Sequence, residues 1–145
     1  MILVDVNLLV YATAETSPHH EGARGWLEAR LSGPHRVGLP WSSLTGFVRV
    51  ISNPRFQERP MPVEHAWALV EEWLDLRFTF TPEPTERHRD LLTQLLPAVG
   101  NRPNLVPDAH LAALAMEYGL TLCSTDGDFA RFPGLRWENP LAAVA

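Results

Sequence analysis

The sequence contains no lysine, because all 12 of its basic side chains are arginine. A P-loop needs a lysine on the bound phosphates, and Schiff-base and Ser-Lys chemistries need an amine, so these sites are excluded. A phosphoacceptor receiver domain is excluded in the same way, since it needs a lysine near the phosphate. Any chemistry must come from carboxylates, histidines, hydroxyls, arginines or the single cysteine.

Positive charge is also scarce, since 17 acidic side chains outnumber the basic ones and give a net charge of -5. This balance argues against a protein that holds nucleic acid by a bulk positive field.

Cysteine and long apolar runs are equally sparse. Cys123 is the only cysteine, so it has no internal disulfide partner, and its place at the end of the apolar stretch 120–123 predicts a buried strand residue. The longest apolar runs fall far short of the roughly 18 residues of a membrane span. No signal peptide is visible, because Asp5 interrupts the first apolar run. We expect a soluble cytoplasmic protein with no membrane partner.

The pattern of apolar segments predicts an α/β fold. A chain of 145 residues with 46% hydrophobic side chains suits a single domain over 1–145. Predicted strands at 2–4, 36–39, 77–80 and 120–123, and a short fifth at 135–137, alternate with helices. The helices are expected from 8, over 18–31, over 42–52, from 62, over 85–96 and over 107–118. This alternation indicates a largely parallel sheet.

Four of the six aspartates fall where such a sheet places its ligands. Asp5 ends the first strand, Asp126 and Asp128 follow the fourth, and Asp108 lies in the first turn of a late helix. Ligands bind beyond the carboxyl ends of parallel strands, and a helix N-terminus favours an ionised side chain. The alternative is that each aspartate is only a turn or capping residue.

Carboxylates that converge in this way repel one another. At about 4 Å and an effective dielectric constant of about 20, each pair costs on the order of 4 kcal/mol. Either some are protonated or a cation lies among them, and all-oxygen ligands favour Mg²⁺ or Mn²⁺. The pattern therefore favours metal-dependent phosphodiester hydrolysis.

Three short motifs, 5–7, 107–112 and 124–129, resemble the PIN domain, and more narrowly the VapC-type toxins of bacterial toxin–antitoxin pairs. The resemblance implies a three-layer α/β/α sandwich with a mostly parallel sheet of about five short strands. It also implies a Mg²⁺- or Mn²⁺-dependent endoribonuclease that blocks translation by cutting tRNA or rRNA. The expected partners are the RNA substrate, a second copy in a homodimer, and a cognate antitoxin whose tail covers the active site.

The resemblance also implies roles for individual residues. Metal ligands would be Asp5, Asp108 and Asp126, and Asp128 would complete the catalytic cluster. Asn7 and Thr125 would support these carboxylates by hydrogen bonds.

One departure from the family pattern concerns the helix after the second strand. The family usually has a glutamate there, whereas this chain has Gly46, and no acid lies between Glu28 and Glu58. The metal site would then be weaker, hold one ion rather than two, rely on Asp128 or water, or belong to a degenerate, non-catalytic PIN interaction module. A PIN-type nuclease acting in RNA processing or on DNA, without a toxin role, is the other alternative.

Other side chains are candidates for contacts with partners. RNA-binding candidates, which would otherwise be ordinary charged surface, are Arg49, Arg55, Arg102 and Arg131. Aromatic residues that belong either to the core or to a groove for an antitoxin helix are Trp26, Trp41, Phe47 and Trp67. We interpret His110 as a packing or surface residue, with contact to RNA as the alternative.

Overall fold

A computed structural model describes residues 1–142. Within them the strands are β1 (Ile2–Val4), β2 (Val37–Gly38), β3 (Thr79–Phe80), β4 (Thr121–Cys123) and β5 (Trp137–Glu138). The α-helices are α1 (Val6–Thr13), α2 (His20–Leu31), α3 (Trp41–Ile51), α4 (Val63–Leu74), α5 (His88–Leu95) and α6 (Val106–Glu117). Short 3₁₀ helices span Leu96–Val99, Pro103–Leu105 and Gly127–Arg131. The last three residues of the predicted 1–145 domain lie outside the described residues, and the single domain stays a prediction.

The five strands form one parallel sheet in the order β3-β2-β1-β4-β5. β1 lies at the centre, where Leu3 is level with Gly38 of β2 on one side and Leu122 of β4 on the other. The carboxyl ends of β1 and β4 therefore meet at the same edge of the sheet.

Helices cover both faces of this sheet. Successive strand residues point to opposite faces, so neighbouring residues of one strand join different cores. Ile2 and Val4 join the apolar core under α1 to α4, whereas Leu3 joins the core under α5 and α6. The three-layer α/β/α sandwich and the parallel sheet of five short strands are thus confirmed.

Several element boundaries differ from the prediction. The predicted helix 85–96 starts only at His88, because Thr85 is held in a turn by the side chain of Glu117. The helix then tightens into a 3₁₀ turn at Leu96, next to Pro97. The fifth strand is Trp137–Glu138 rather than 135–137. Of the helices in the described part, none has the length and apolar character of a bilayer span.

Candidate active site

Asp5 lies at the carboxyl end of β1 and begins α1. Its Oδ1 accepts a hydrogen bond from the backbone N–H of Val6 at 2.8 Å, and its own N–H donates to the Cys123 carbonyl of β4. An aspartate in extended conformation satisfies a free N–H at a helix start, which explains why the strand passes directly into the helix here. The carboxylate is therefore fixed at the edge where β1 and β4 end.

Ser124, the first residue after β4, connects the predicted site residues. Its buried hydroxyl donates to Oδ2 of Asp5 at 2.7 Å and accepts from Nδ2 of Asn7 at 3.2 Å. It also accepts from the backbone N–H of Asp126 at 3.0 Å. Sequence reasoning did not single out this serine, although a hydroxyl directly between a strand end and an aspartate turn was a usable signal.

The two aspartates after β4 have different surroundings. Asp126 begins the 3₁₀ helix Gly127–Arg131, and its Oδ1 accepts from the Asp128 N–H at 2.9 Å. Asp128 is paired with the guanidinium of Arg102 at 3.2 and 3.3 Å and with that of Arg131 at 3.1 Å. These hydrogen bonds hold the pKa of Asp128 below its usual range. Its charge is already compensated, unlike that of its neighbours.

Asp108 lies half-buried in the first turn of α6 and makes no side-chain hydrogen bond with any residue in 1–142. Burial raises its pKa to about 6, and repulsion from Asp126, Asp5 and Asp128 adds to the effect, which Arg102 partly offsets. Burial also raises the pKa of Asp5, while the hydrogen bonds from Ser124 and Val6 act in the opposite direction. The structure therefore gathers Asp5, Asp108 and Asp126 into one region of uncompensated negative charge.

Of the remaining predicted site residues, some contact the acidic site and others do not. Asn7 joins the network through Ser124, but the Thr125 side chain forms no hydrogen bond with another described residue. Arg102 and Arg131 flank Asp128. Arg49 and Arg55 are exposed, on α3 and in the loop after it, and form no ion pair within residues 1–142.

The oxygen atoms at this edge are of the type that binds a hard divalent cation. They are carboxylate oxygens together with Oδ1 of Asn7, a buried atom that has no hydrogen-bond partner in the structure. These atoms do not form a complete metal site in the structure, because no three His, Cys, Asp or Glu side chains of the described residues come close enough to share an ion. The side chains or water would have to close the shell.

Gly46 is the position at which α3 lacks the carboxylate that the family usually has. A Cβ placed on Gly46 would lie 3.2 Å from Cγ2 of Val6, the residue directly after Asp5. The glycine therefore lets α3 pack closely on α1 below the acidic edge. A side chain there would have to displace Val6 by a few tenths of an ångström.

The aromatic candidates divide between core and surface. Phe47 is fully buried and packs on Trp73, with ring centroids 4.9 Å apart. Trp41 and Trp67 are each 41% exposed and stack on one another at 6.5 Å. Trp26 is only partly buried against the core under α1 to α4. The four residues therefore do not line one groove.

Comparison with known proteins agrees with this geometry. Residues 2–135 match the PIN domain family. The chain is 45% identical over 144 residues to Ribonuclease VapC37 of Mycobacterium tuberculosis, covering 99% of this chain and 100% of that protein. Among solved structures it is similar to VapBC2 from Rickettsia felis, solved with a DNA fragment from its promoter (TM-score 0.65, 18% identity, covering 96% and 98% of the two chains). It is also similar to the sarcin–ricin loop cleaving toxin VapC20 of Mycobacterium tuberculosis (TM-score 0.62, 18% identity, covering 94% and 99%). The chain therefore belongs to the PIN-domain family and, within it, to the VapC ribonucleases.

Proposed function

We propose that this protein is a Mg²⁺- or Mn²⁺-dependent endoribonuclease that acts as the toxin of a VapBC-type toxin–antitoxin pair and cuts tRNA or rRNA. The observation that carries the proposal is the shared negative charge of Asp5, Asp108 and Asp126 at one edge of the sheet. Burial raises the pKa of Asp108 to about 6, and repulsion from Asp126 and Asp5 adds to it, as expected for a carboxylate with no hydrogen bond or ion pair within residues 1–142. A bound cation would supply that partner.

Each residue has a distinct task in this proposal. Ser124 and the Val6 N–H fix both oxygens of Asp5, so that this carboxylate is held in one orientation. Asp108 is free of hydrogen bonds to residues in 1–142 and can turn toward a ligand. Asn7 would offer its unpaired Oδ1 as a neutral donor.

The cation would be held by Asp5 and Asp108 and, directly or through water, by Asp126, and when bound it would supply a polarised phosphate oxygen and activated water. Asp128 does a different job, because its two arginine partners already neutralise it. It holds Arg102 and Arg131 beside the acidic edge, where their guanidinium groups can bind RNA phosphates.

The direct test is cleavage of a mixture of tRNA and rRNA by the purified protein. We expect cleavage with Mg²⁺ or Mn²⁺, none with EDTA, and recovery when the metal is restored. Asp5→Ala and Asp108→Ala should each lose at least about 100-fold in rate, because each removes a direct ligand whose loss exceeds that of a supporting group. Asp75→Ala, an exposed aspartate at the end of α4, is the matched control. Full cleavage by Asp5→Ala or Asp108→Ala, or undiminished cleavage in EDTA, would reject this assignment.

The toxin role predicts effects in the cell. Induced expression should arrest growth, and co-expression of a small neighbouring gene for the antitoxin should restore it. This part of the proposal is supported by the 45% sequence identity to Ribonuclease VapC37 and by the structural similarity to VapBC2. We also propose that the protein acts as a homodimer in the cytoplasm, where its RNA substrates are. Growth that continues despite active, soluble protein would instead favour an RNA-processing nuclease.

A non-catalytic PIN interaction module is the second candidate, favoured by Gly46 and by the lack of three preassembled donors in the described residues. It predicts no metal-dependent cleavage but intact binding to a partner protein. The same cleavage assay separates the two candidates.

A further inference from the structure

A second polar network starts at Glu117, at the opposite end of α6 from Asp108, and leads through His88 of α5 to His110. The fully buried side chain of Glu117 accepts two hydrogen bonds at Oε1, from the backbone N–H of Thr85 at 2.7 Å and from its hydroxyl at 2.6 Å. Oε2 faces Nδ1 of His88 at 2.6 Å, and Nε2 of His88 faces Nδ1 of His110 at 2.9 Å. The network is thus a linear series from a buried carboxylate through two imidazole rings.

For neutral imidazole rings, the carboxylate at the end of the series sets which ring nitrogens carry protons. A carboxylate only accepts, so Nδ1 of His88 must donate to Glu117. With both rings neutral, Nε2 of His88 accepts, Nδ1 of His110 donates, and Nε2 of His110 has no proton. That last nitrogen forms no hydrogen bond within residues 1–142 and is not enclosed. It is left as a hydrogen-bond acceptor of fixed orientation.

His110 lines a groove of about 250 Å³. The groove is also lined by Trp41 and Ser42, which follow β2, by Glu83, which follows β3, and by Leu114 of α6. It therefore opens at the same edge of the sheet as the acidic site, which follows β1 and β4. Asp108 and His110 are two residues apart on α6 and therefore face different sides of that helix, but the groove and the acidic site share this edge of the sheet. A strand of RNA that runs along the edge from the acidic site can reach the groove.

We propose that this groove binds one unpaired base of the RNA substrate, with Trp41 stacking on the base and Nε2 of His110 accepting a hydrogen bond from an exocyclic amine. The exposed indole of Trp41 provides the stacking surface that single-stranded nucleic acid uses. Where the base turns the edge that carries cytosine N4 or adenine N6 toward this nitrogen, cytosine is favoured over uracil and adenine over guanine, because uracil and guanine present the acceptors O4 and O6 there. This inference rests on the proposed ribonuclease function and specifies how its substrate is chosen.

Glu117→Gln tests the proposal because it should reverse the direction of every hydrogen bond from residue 117 to His110 while keeping the side chains in place. Both Thr85 donors require an oxygen, so the amide nitrogen of Gln must face His88. Nδ1 of His88 then accepts, its Nε2 donates to His110, and Nε2 of His110 gains the proton. One buried substitution should therefore convert the acceptor in the groove into a donor.

The first measurement is independent of RNA cleavage. The ¹⁵N chemical shifts of the histidine rings should show an unprotonated Nε2 on His110 in the wild type and a protonated one in Glu117→Gln. Titration with cytidine and uridine, followed by the shifts of His110 and Trp41, should favour cytidine by about tenfold in the wild type and uridine in the variant. A protonated Nε2 in the wild type, a doubly protonated His88, or no preference between the nucleosides would overturn the proposal.

The second measurement uses cleavage of RNA libraries that vary around the cut site. One position should prefer cytosine over uracil and adenine over guanine in the wild type, lose the preference in His110→Phe, and reverse it in Glu117→Gln. The matched controls are His65→Phe and Glu64→Gln, which alter exposed residues of α4. A preference that is unchanged in both test variants would overturn the groove assignment. If no RNA is cut at all, the proposed function fails, while the nucleoside titration still decides the groove.

Discussion

Two carboxylates on the same helix have opposite surroundings. Glu117, at the end of α6, is fully buried but accepts hydrogen bonds on both oxygens, and these bonds outweigh burial and hold its pKa below the ordinary value. Asp108, in the first turn, is only half-buried and lacks such bonds within residues 1–142, so burial and repulsion raise its pKa to about 6. Burial alone does not determine whether the pKa of a carboxyl group rises. The number of hydrogen-bond donors that face the carboxylate also determines it.

This contrast separates groups held for structure from groups kept ready for a ligand. Asp5 lies between the two extremes, because hydrogen bonds orient it while burial and Asp126 still raise its pKa. A site for a cation has to combine these properties, since the ligands must be oriented and must also leave charge for the ion.

Among the changes that test this contrast, the largest effect is expected for Ser124, which orients Asp5. Ser124→Ala removes the hydroxyl that orients Asp5 and leaves Nδ2 of Asn7 and the Asp126 N–H without their acceptor. Loss of such a support typically costs 10- to 100-fold in metal affinity or activity, and we expect about that loss in RNA cleavage. Ser124→Thr, which keeps the hydroxyl, should recover part of the rate if the fully buried site admits the methyl group. Wild-type activity in Ser124→Ala would show that Asp5 is oriented without it.

A smaller effect, on stability, is expected for the compensated carboxylate. Glu117→Ala leaves the two Thr85 donors and Nδ1 of His88 unpaired, so the free energy of unfolding should fall by about 2–3 kcal/mol. Urea denaturation measures this change. Glu64→Ala, at an exposed position of α4, should change stability by less than about 0.5 kcal/mol. Equal stability of the two variants would contradict the structural role of Glu117.

The smallest effect concerns Asp108 in the absence of metal. Because the folded protein binds a proton at Asp108 more tightly than the unfolded chain, its carboxylate destabilises the fold above pH 6, and this penalty disappears as pH falls toward 4. In EDTA, Asp108→Asn should therefore raise stability at pH 7 by about 1 kcal/mol, a value that allows for solvent screening, and by less at pH 4.5. Thermal denaturation at both pH values checks the sign.

Addition of metal gives the complementary control for Asp108. Mg²⁺ should raise the melting temperature of the wild type more than that of Asp108→Asn, because binding to the folded state stabilises it. Lower stability of Asp108→Asn in EDTA at pH 7 would show that its carboxylate is already compensated.

The sequence predicts the fold well where the signal is local. The apolar runs at β1 and β4 and the polar residues that follow them locate the central strands and the acidic edge. It predicts less where contacts are distant. Thr85 ends up in a turn rather than a helix because of Glu117, 32 residues later, and His110 enters a network through His88, 22 residues earlier.

Helical periodicity also has a limit at α4. The sequence leaves open whether Trp67 belongs to the core or to a groove, and in the structure the buried residues of α4 are Ala66, Val70 and Trp73, while Trp67 lies beside them at the surface. A stripe wider than the contact area gives no information on which edge is covered. The pairing of Asp128 with Arg102 is equally hidden, since 26 residues separate them. Charge compensation depends on such pairs, which only the folded chain brings together.

The long separation of Asp5 and Ser124 along the chain has a consequence for synthesis. The hydrogen bond between them joins residues 119 positions apart, and β1 lacks its β4 neighbour until that strand exists. A growing chain cannot assemble the acidic edge until residue 124 has left the ribosome. In the proposed function, the enzyme would therefore have no assembled site for RNA until at least residue 124 has been made and folded.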